Sequence, residues 1–468
     1  MRPSGIILAL ALAPGAAGQP VAALKAQGLA LKAKGDAAGA LAVFERAADL
    51  DPQSAELQDE VGFLLAVLNR RQEAISKFHR AIELDPTFAP AHYHLGVAYW
   101  LAGDYNASIP SLQEAVRLSP NQFDYGYRLG IAFFEVGHYP EAAGELAHAV
   151  SLKPQDGEAW NRLGLARQRS GDQAWALEAY KRAVELQPKN LDARNNLGYL
   201  LVERGLAESG IAQFRKILEL DPRNLKARLN IGYALMQKAE LDQAIGQFRE
   251  VLRLDPTAAP AYYNLGLALK QKDDLEGAKP ALRKAIELDP NLAEAHYTLG
   301  ITHWQAGEFE ETVKEMRAAL RLRPDYAEAH YMLGTALKQS GDLDAACAAL
   351  KEAIRLDPGN PGPHNTLAQI LRMQGHLESS KAAFAEGARV KKLKEAEQSA
   401  MFNVNTGLAK LESGQLQQAE RQFRLAIEAA PHSAKAHRYL SEVLERAGRK
   451  SEAEEELQLA RKLESAPR

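Results

Sequence analysis

The stretch Ala293–Tyr326, AEAHYTLGITHWQAGEFEETVKEMRAALRLRPDY, contains the rule from which the rest of the chain is built. Ala295, Leu299 and Thr302 share one helical stripe, with Gly300 beside them. Gly307 interrupts the pattern, and a second stripe follows through Val313, Met316, Ala319, Leu320 and Leu322. Such spacing predicts two amphipathic helices joined by a short turn. Pro324 closes the unit, because it ends a helix and pushes its predecessor into extended geometry.

Pro324 belongs to a ladder. Pro52, Pro86, Pro120, Pro154, Pro188, Pro222, Pro256, Pro290, Pro324 and Pro358 stand 34 residues apart. A second ladder runs 24 residues ahead of each proline, from Gly28 through Gly62, Gly96 and so on to Gly334. Its next slot holds Ala368; the rhythm then slips by five residues and resumes at Gly407 and Pro431. With the glycine as position 8, units begin at Val21, Ala55, Ala89, Phe123, Gly157, Leu191, Leu225, Ala259, Ala293, Ala327, Pro361, Ala400 and Ala434, thirteen repeats in all. A period of this size marks a repeat array, in which each unit packs only on its neighbours.

Glycine at position 8 lies inside a helix, where it costs about 1 kcal/mol relative to alanine. Eleven of the thirteen repeats accept that cost. Small residues recur at position 20 (Ala74, Ala142, Ala278) and position 27 (Ala81, Ala149, Ala285), so close backbone approach of the partner helix is the expected compensation. Glycine at position 15, as in Gly103 and Gly307, suits the left-handed residue that ends a helix.

The run from Tyr263 through Leu265, Gly266, Leu269, Ala278, Leu282 and Ala285 to Pro290 closely resembles the tetratricopeptide repeat, as does that from Leu197, Gly198 and Leu201 through Phe214 to Pro222. The resemblance covers nearly the whole chain. It implies an all-α, right-handed superhelical solenoid whose first helices line a concave groove, and a function in binding other proteins.

Composition sets further bounds. Over 468 residues, Lys plus Arg is 57 and Asp plus Glu is 60, a net charge of −3, so no basic excess points to nucleic acid. The single cysteine, Cys347, excludes a disulfide within the chain and any paired-cysteine metal motif. Residues 1–18 differ in kind: Arg2 precedes the apolar run Ile6–Ala13, followed by small residues to Gly18, which resembles a secretory signal too short to span a bilayer. If it acts as one, the protein is periplasmic or secreted; otherwise it is cytoplasmic. The alternative is an N-terminal tail or an apolar cap on the first repeat.

The array departs from its own rule in three places. Repeats 1–11 occupy residues 21–388; residues 389–399 lack any turn signal, so the second helix of repeat 11 is expected to run on by an extra turn; residues 400–468 hold repeats 12 and 13, ending in a charged capping helix. The groove is expected to change direction at this junction, whose basic residues fit either an anion site or a solvated face. Pro110 and Pro280, both at position 22, are expected to kink their helices.

No phosphate loop, nucleophile elbow or H-E-x-x-H motif is present, so neither catalysis nor a cofactor is expected. His296, His330 and His364 recur at position 4, but successive repeats set them about 10 Å apart, a helix diameter, too far for shared metal ligation.

In the family that the sequence resembles, positions 2, 5, 9, 12 and 13 commonly face the groove. Repeats 3 and 4 place Tyr93, Val97, Trp100, Tyr127, Ile131 and Phe134 there. Repeats 9 and 10 place Tyr297, Ile301, Trp304, Tyr331 and Lys338. Between them the lining is polar, with Asn161, Asn195, Tyr199 and Tyr233, and with Asn196, Asn230 and Asn264 at position 6. Aromatic anchors and amides suit an extended peptide. The asparagine row resembles the ladder in the repeats of O-linked N-acetylglucosamine transferases, and is equally ordinary repeat consensus. The carboxylate clamp of chaperone-binding repeats needs asparagine at position 9, which no repeat supplies. Arg128, Arg162, Arg194 and Arg228 climb the first helices and either favour an acidic ligand or pair locally. A non-catalytic scaffold gripping a partner segment is the leading expectation. The alternatives are self-association as a structural protein, or an accessory role in a cell-envelope export machine.

Overall fold

The computed structural model describes residues 18–465, and all 25 elements among them are α-helices. The secretory signal expected at residues 1–18 falls, but for Gly18, outside the described residues. The chain divides into two compact units, one ending at Ala239 and one starting at Glu240. The division falls inside repeat 7, between its two helices Leu225–Gln237 and Leu241–Leu254.

Within each unit the helices pack as hairpins, and each hairpin packs on the next. Helix A of repeats 2 to 11 and 13 starts at the position that the ladder gives, from Ala55–Val67 to Ala434–Arg446. Helix B covers positions 17 to 30, as in Phe309–Leu322. Aspartates before several B helices accept from the helix N-terminus: Asp104 from the Ala107 amide at 3.0 Å, Asp274 from Gly277 at 2.9 Å.

The glycine ladder does more than admit the partner helix backbone. A Cβ on Gly62 would lie 2.6 Å from Phe78, on Gly164 2.5 Å from Tyr180, on Gly198 2.7 Å from Phe214 and on Gly334 2.6 Å from Leu350. Each neighbour is the large side chain at position 24. Backbone approach is secondary, with the carbonyls of Ala142, Ala278 and Ala346 at 3.1–3.3 Å from such a Cβ. The position-24 rings carry the core: Phe44, Phe78, Tyr180 and Phe214 are each 1% exposed or less. Glycine thus trades helix propensity for a buried ring, a favourable exchange at about 1.5–3 kcal/mol per large side chain buried. Repeat 11 lacks the glycine, and there Ala368 is fully buried while Phe384 is 38% exposed.

Position 15 takes positive φ throughout, from 74° to 87° at its ten glycines, and at 62°, 59° and 66° in Asn69, Ala239 and Asp273. Ala239 has neither the freedom of glycine nor a polar side chain to compensate, and L-residues pay about 1–2 kcal/mol in this region. Ala239→Gly is expected to raise stability by about 1 kcal/mol in urea unfolding. An unchanged midpoint would show the turn to be unstrained.

Pro110 and Pro280 lie inside helices Tyr105–Leu118 and Leu275–Leu288, which continue through them. The five-residue slip has a larger effect than an extra turn. Helix B of repeat 11 and helix A of repeat 12 are one helix of 36 residues, Leu377–Glu412, so position 400 marks no boundary.

Candidate functional site: the face of the first helices

In unit 1 the aromatic residues of repeats 3 and 4 come together. Tyr93, Trp100, Tyr127 and Phe134 lean half-buried on the core, and Ile131 is 9% exposed. Tyr93 stacks on Tyr125 with centroids 4.6 Å apart, and Tyr127 on Phe123 at 5.3 Å. The Arg128 guanidinium lies 4.7 Å over the Trp100 ring, a cation–π contact that links the two repeats. Val97 is half-buried between them in sequence. Burial pushes the Tyr93 and Tyr127 hydroxyls above the ordinary phenol range, so both remain hydrogen-bond donors at neutral pH.

Further along unit 1 the asparagines join neighbouring repeats. Asn196 Nδ2 donates to Asn161 Oδ1 at 3.0 Å, and Asn230 Nδ2 to Asn195 Oδ1 at 2.7 Å. Asn161 and Asn195 are only 4% and 7% exposed and hold the stack, and Asn195 also borders the cavity edged by its partner. Asn196 and Asn230, with Tyr199, Gln168, Arg169 and Glu203, line an open cavity of about 580 Å³. Tyr199 is 38% exposed and stacks with Tyr233, centroids 6.3 Å apart. Gln168, Arg169 and Glu203 were not singled out by the sequence reading; they occupy positions 12 and 13, and applying the same position rule to polar residues would have found them.

Unit 2 holds the second aromatic group. Tyr297, Ile301, Trp304 and Tyr331 rest on its core. Tyr297 meets Tyr326 at 4.8 Å and Trp304 meets Phe309 at 5.0 Å. Lys338 Nζ donates to Gln369 across repeats at 2.8 Å. Asn264 lies in this unit and is half-buried.

The position-4 row has a structural role. His92, Trp160, Arg194, Arg228, His330 and His437 each donate to the carbonyl of the proline six residues before, at 2.7–3.0 Å. These side chains tie each turn to the next helix. Two of the four arginines in the expected climbing row are spent this way, and Arg162 pairs with Glu158 at 2.8 Å. Among the described residues no group of His, Cys, Asp and Glu is placed to hold a metal ion. Nor, among them, is any helix long and apolar enough to cross a membrane.

A further cavity, of about 560 Å³, opens in unit 1 between helix B of repeat 4 and both helices of repeat 5. Trp160 and Trp175 flank it, and Trp175 is 67% exposed. The sequence reading passed over it; a tryptophan at position 19, on the outer side of helix B, was the available signal.

Family models match most of the chain. A model described as Tetratricopeptide repeat matches residues 127–190 and 404–467, a TPR repeat model residues 67–103, and a second Tetratricopeptide repeat model residues 89–122. The model of the cilia and flagella-associated protein 70 C-terminal domain matches residues 187–404. None of these describes a catalytic family. The curated proteins yield no match. Among solved structures, YrrB, described as a TPR protein with an unusual peptide-binding site, is 24% identical over 39% of this chain and 95% of its own, with a TM-score of 0.38. MamA is 28% identical over 35% of this chain and 95% of its own, TM-score 0.33. PilF of Pseudomonas aeruginosa is 21% identical over 46% of this chain and 99% of its own, TM-score 0.40.

Proposed function

The chain belongs to the tetratricopeptide repeat family, and from that premise we propose that this interaction scaffold grips an extended segment of a partner protein along the first-helix face of unit 1, without catalysis. One observation supports this above the others. An open cavity of about 580 Å³, edged by Asn196, Asn230 and Tyr199, is lined at positions 5 and 12 by Asn195 and Gln168, the positions that Tyr93, Tyr127 and Trp100 hold in the aromatic cluster. Exposed amides pair with the backbone of an extended chain, while rings take up its side chains. The asparagine pairs fix the amides before binding, which lowers the ordering cost.

A displayed library of random peptides, panned on the purified chain, supplies the probe. Tyr199→Ala is expected to weaken the selected peptides at least tenfold, a loss of about 1.4 kcal/mol or more for a central aromatic contact. Trp304→Ala, in the other unit, is expected to leave them unchanged. Peptides that bind Tyr199→Ala and wild type equally would place the site elsewhere.

A further inference from the structure

The cavity edged by Asn196, Asn230 and Tyr199 carries its charges unevenly. Arg169, Lys226 and Glu203 are the charged residues in its lining. Asn161 pairs with Asn196 and Gln168 with Glu203, at two heights and each 35 residues apart, so the first helices of repeats 5 and 6 run side by side in one direction. Arg169 and Glu203 end their helices, Gly157–Arg169 and Leu191–Glu203. That end of the cavity therefore holds one charge of each sign. Lys226 is the second residue of Leu225–Gln237 and stands at the opposite end. It is exposed, and its side chain makes no hydrogen bond or ion pair among the described residues.

Lys226 also breaks a local rule. Position 2 lies in the first turn of helix A, where the helix dipole favours an acid and disfavours a cation. Six of repeats 2 to 10 place an acid there: Glu56, Asp124, Glu158, Asp192, Glu294 and Glu328. Repeats 3 and 8 place Pro90 and Pro260, and only repeat 7 places a cation. A local rule broken without a compensating contact points to function. The turns that lead into the first helices of repeats 6 and 7 add Lys189 and Arg223, both exposed and without side-chain ion pairs among the described residues. This edge thus sets three cations against the two acids Asp192 and Asp221.

We propose that the partner segment is acidic where it crosses this edge. An Asp or Glu side chain of the segment pairs with the Lys226 ammonium, while the amides of Asn196 and Asn230 hold its backbone. This rests on the groove reading above and names the chemistry that the groove selects. Lys189 and Arg223 continue the positive charge beyond the cavity. That suits a segment running on over the edge with acidic side chains better than one that stops there at a terminal carboxylate.

The displayed random library is panned in parallel on the wild-type chain, Lys226→Glu and Tyr199→Ala, and the selected sequences are made as peptides with amidated carboxy-termini. Wild type is expected to select sequences rich in Asp or Glu. Lys226→Glu is expected to bind them about fivefold more weakly, through one exposed ion pair lost and one repulsion gained. Changing the acid of the peptide to Lys is expected to restore the affinity of that variant, and high salt to narrow the difference. The melting temperature of Lys226→Glu is not expected to fall, since an acid suits this helix position; a lysine with a merely structural role would lower it when replaced. Peptides that need Tyr199 yet bind wild type and Lys226→Glu equally overturn this inference and leave the groove reading standing. Peptides that neither variant affects overturn both. Acidic peptides that bind only with a free carboxy-terminus overturn the side-chain pairing.

Discussion

Gly198→Val is expected to destabilise unit 1 by about 2–3 kcal/mol, the cost of overpacking a filled core. The slot at Gly198 is filled by the Phe214 ring, whose Cε1 and Cζ would lie 2.7 and 2.9 Å from an added Cβ. Phe214 is 1% exposed and has no free volume to retreat into. Helix propensity works the other way, by about 1 kcal/mol for losing a glycine, and is outweighed. The chain contains its own comparison: in repeat 11, where Ala368 fills the slot, the Phe384 ring is found outside it. Combining Gly198→Val with Phe214→Ala is therefore expected to cost less than the two single changes added, by about 1 kcal/mol or more, because the valine fills part of the vacated space. Strict additivity would mean that the two side chains do not compete. Hydrogen exchange at Leu191–Leu220 is the proper reading, since a repeat array need not unfold in one step.

Phe423→Ala is the second large effect, at about 3–5 kcal/mol for emptying an aromatic core position. Phe423 is 0% exposed, fills the Gly407 slot at 2.6 Å and stacks on Tyr439 with centroids 5.7 Å apart. Its core also holds Val404, Leu440 and Val443. The fused helix leaves repeat 12 without a preceding helix B over its helix A, so fewer neighbours share the damage. Amide protection is expected to fall across residues 404–460 while repeats 2 to 6 keep theirs. Uniform loss along the chain would indicate one cooperative body, and no loss would show that the ring contributes little.

These two variants show where sequence reading is strong. Helix A of repeat 9 begins at Ala293, where the proline and glycine ladders place it. The turn after it takes positive φ at Gly307, where a residue without Cβ was expected. Both follow from local chemistry repeated many times, so the pattern stands clear of chance. The reason for Gly198 was less legible. Alanines at positions 20 and 27 suggested backbone approach, which Gly210 makes to the Gly198 carbonyl, but the tightest neighbour of Gly198 is a ring sixteen residues on, and only packing shows which large side chain points into the gap.

The candidate site divides in the same way. Trp100 and Tyr127 were found by position, and they do cluster. Asn161 and Asn195 were found by the same rule, yet they are buried partners of Asn196 and Asn230. Position assigns a side of the helix; it does not say whether a neighbouring repeat already satisfies the side chain. The position-4 histidines illustrate this as well, since the carbonyl that His330 reaches belongs to a proline in the turn before its helix.

The amino-acid order by itself determined the number of units, the helices within each and the turns between them, because a 34-residue period writes local preferences over and over. Tertiary structure alone decided which surfaces stay open. The slip after repeat 11 contains no breaker, and whether such a stretch bends back as a hairpin or runs straight depends on what packs against each half. Running straight, as it does from Leu377 to Glu412, leaves Phe402 in solvent where other repeats bury alanine.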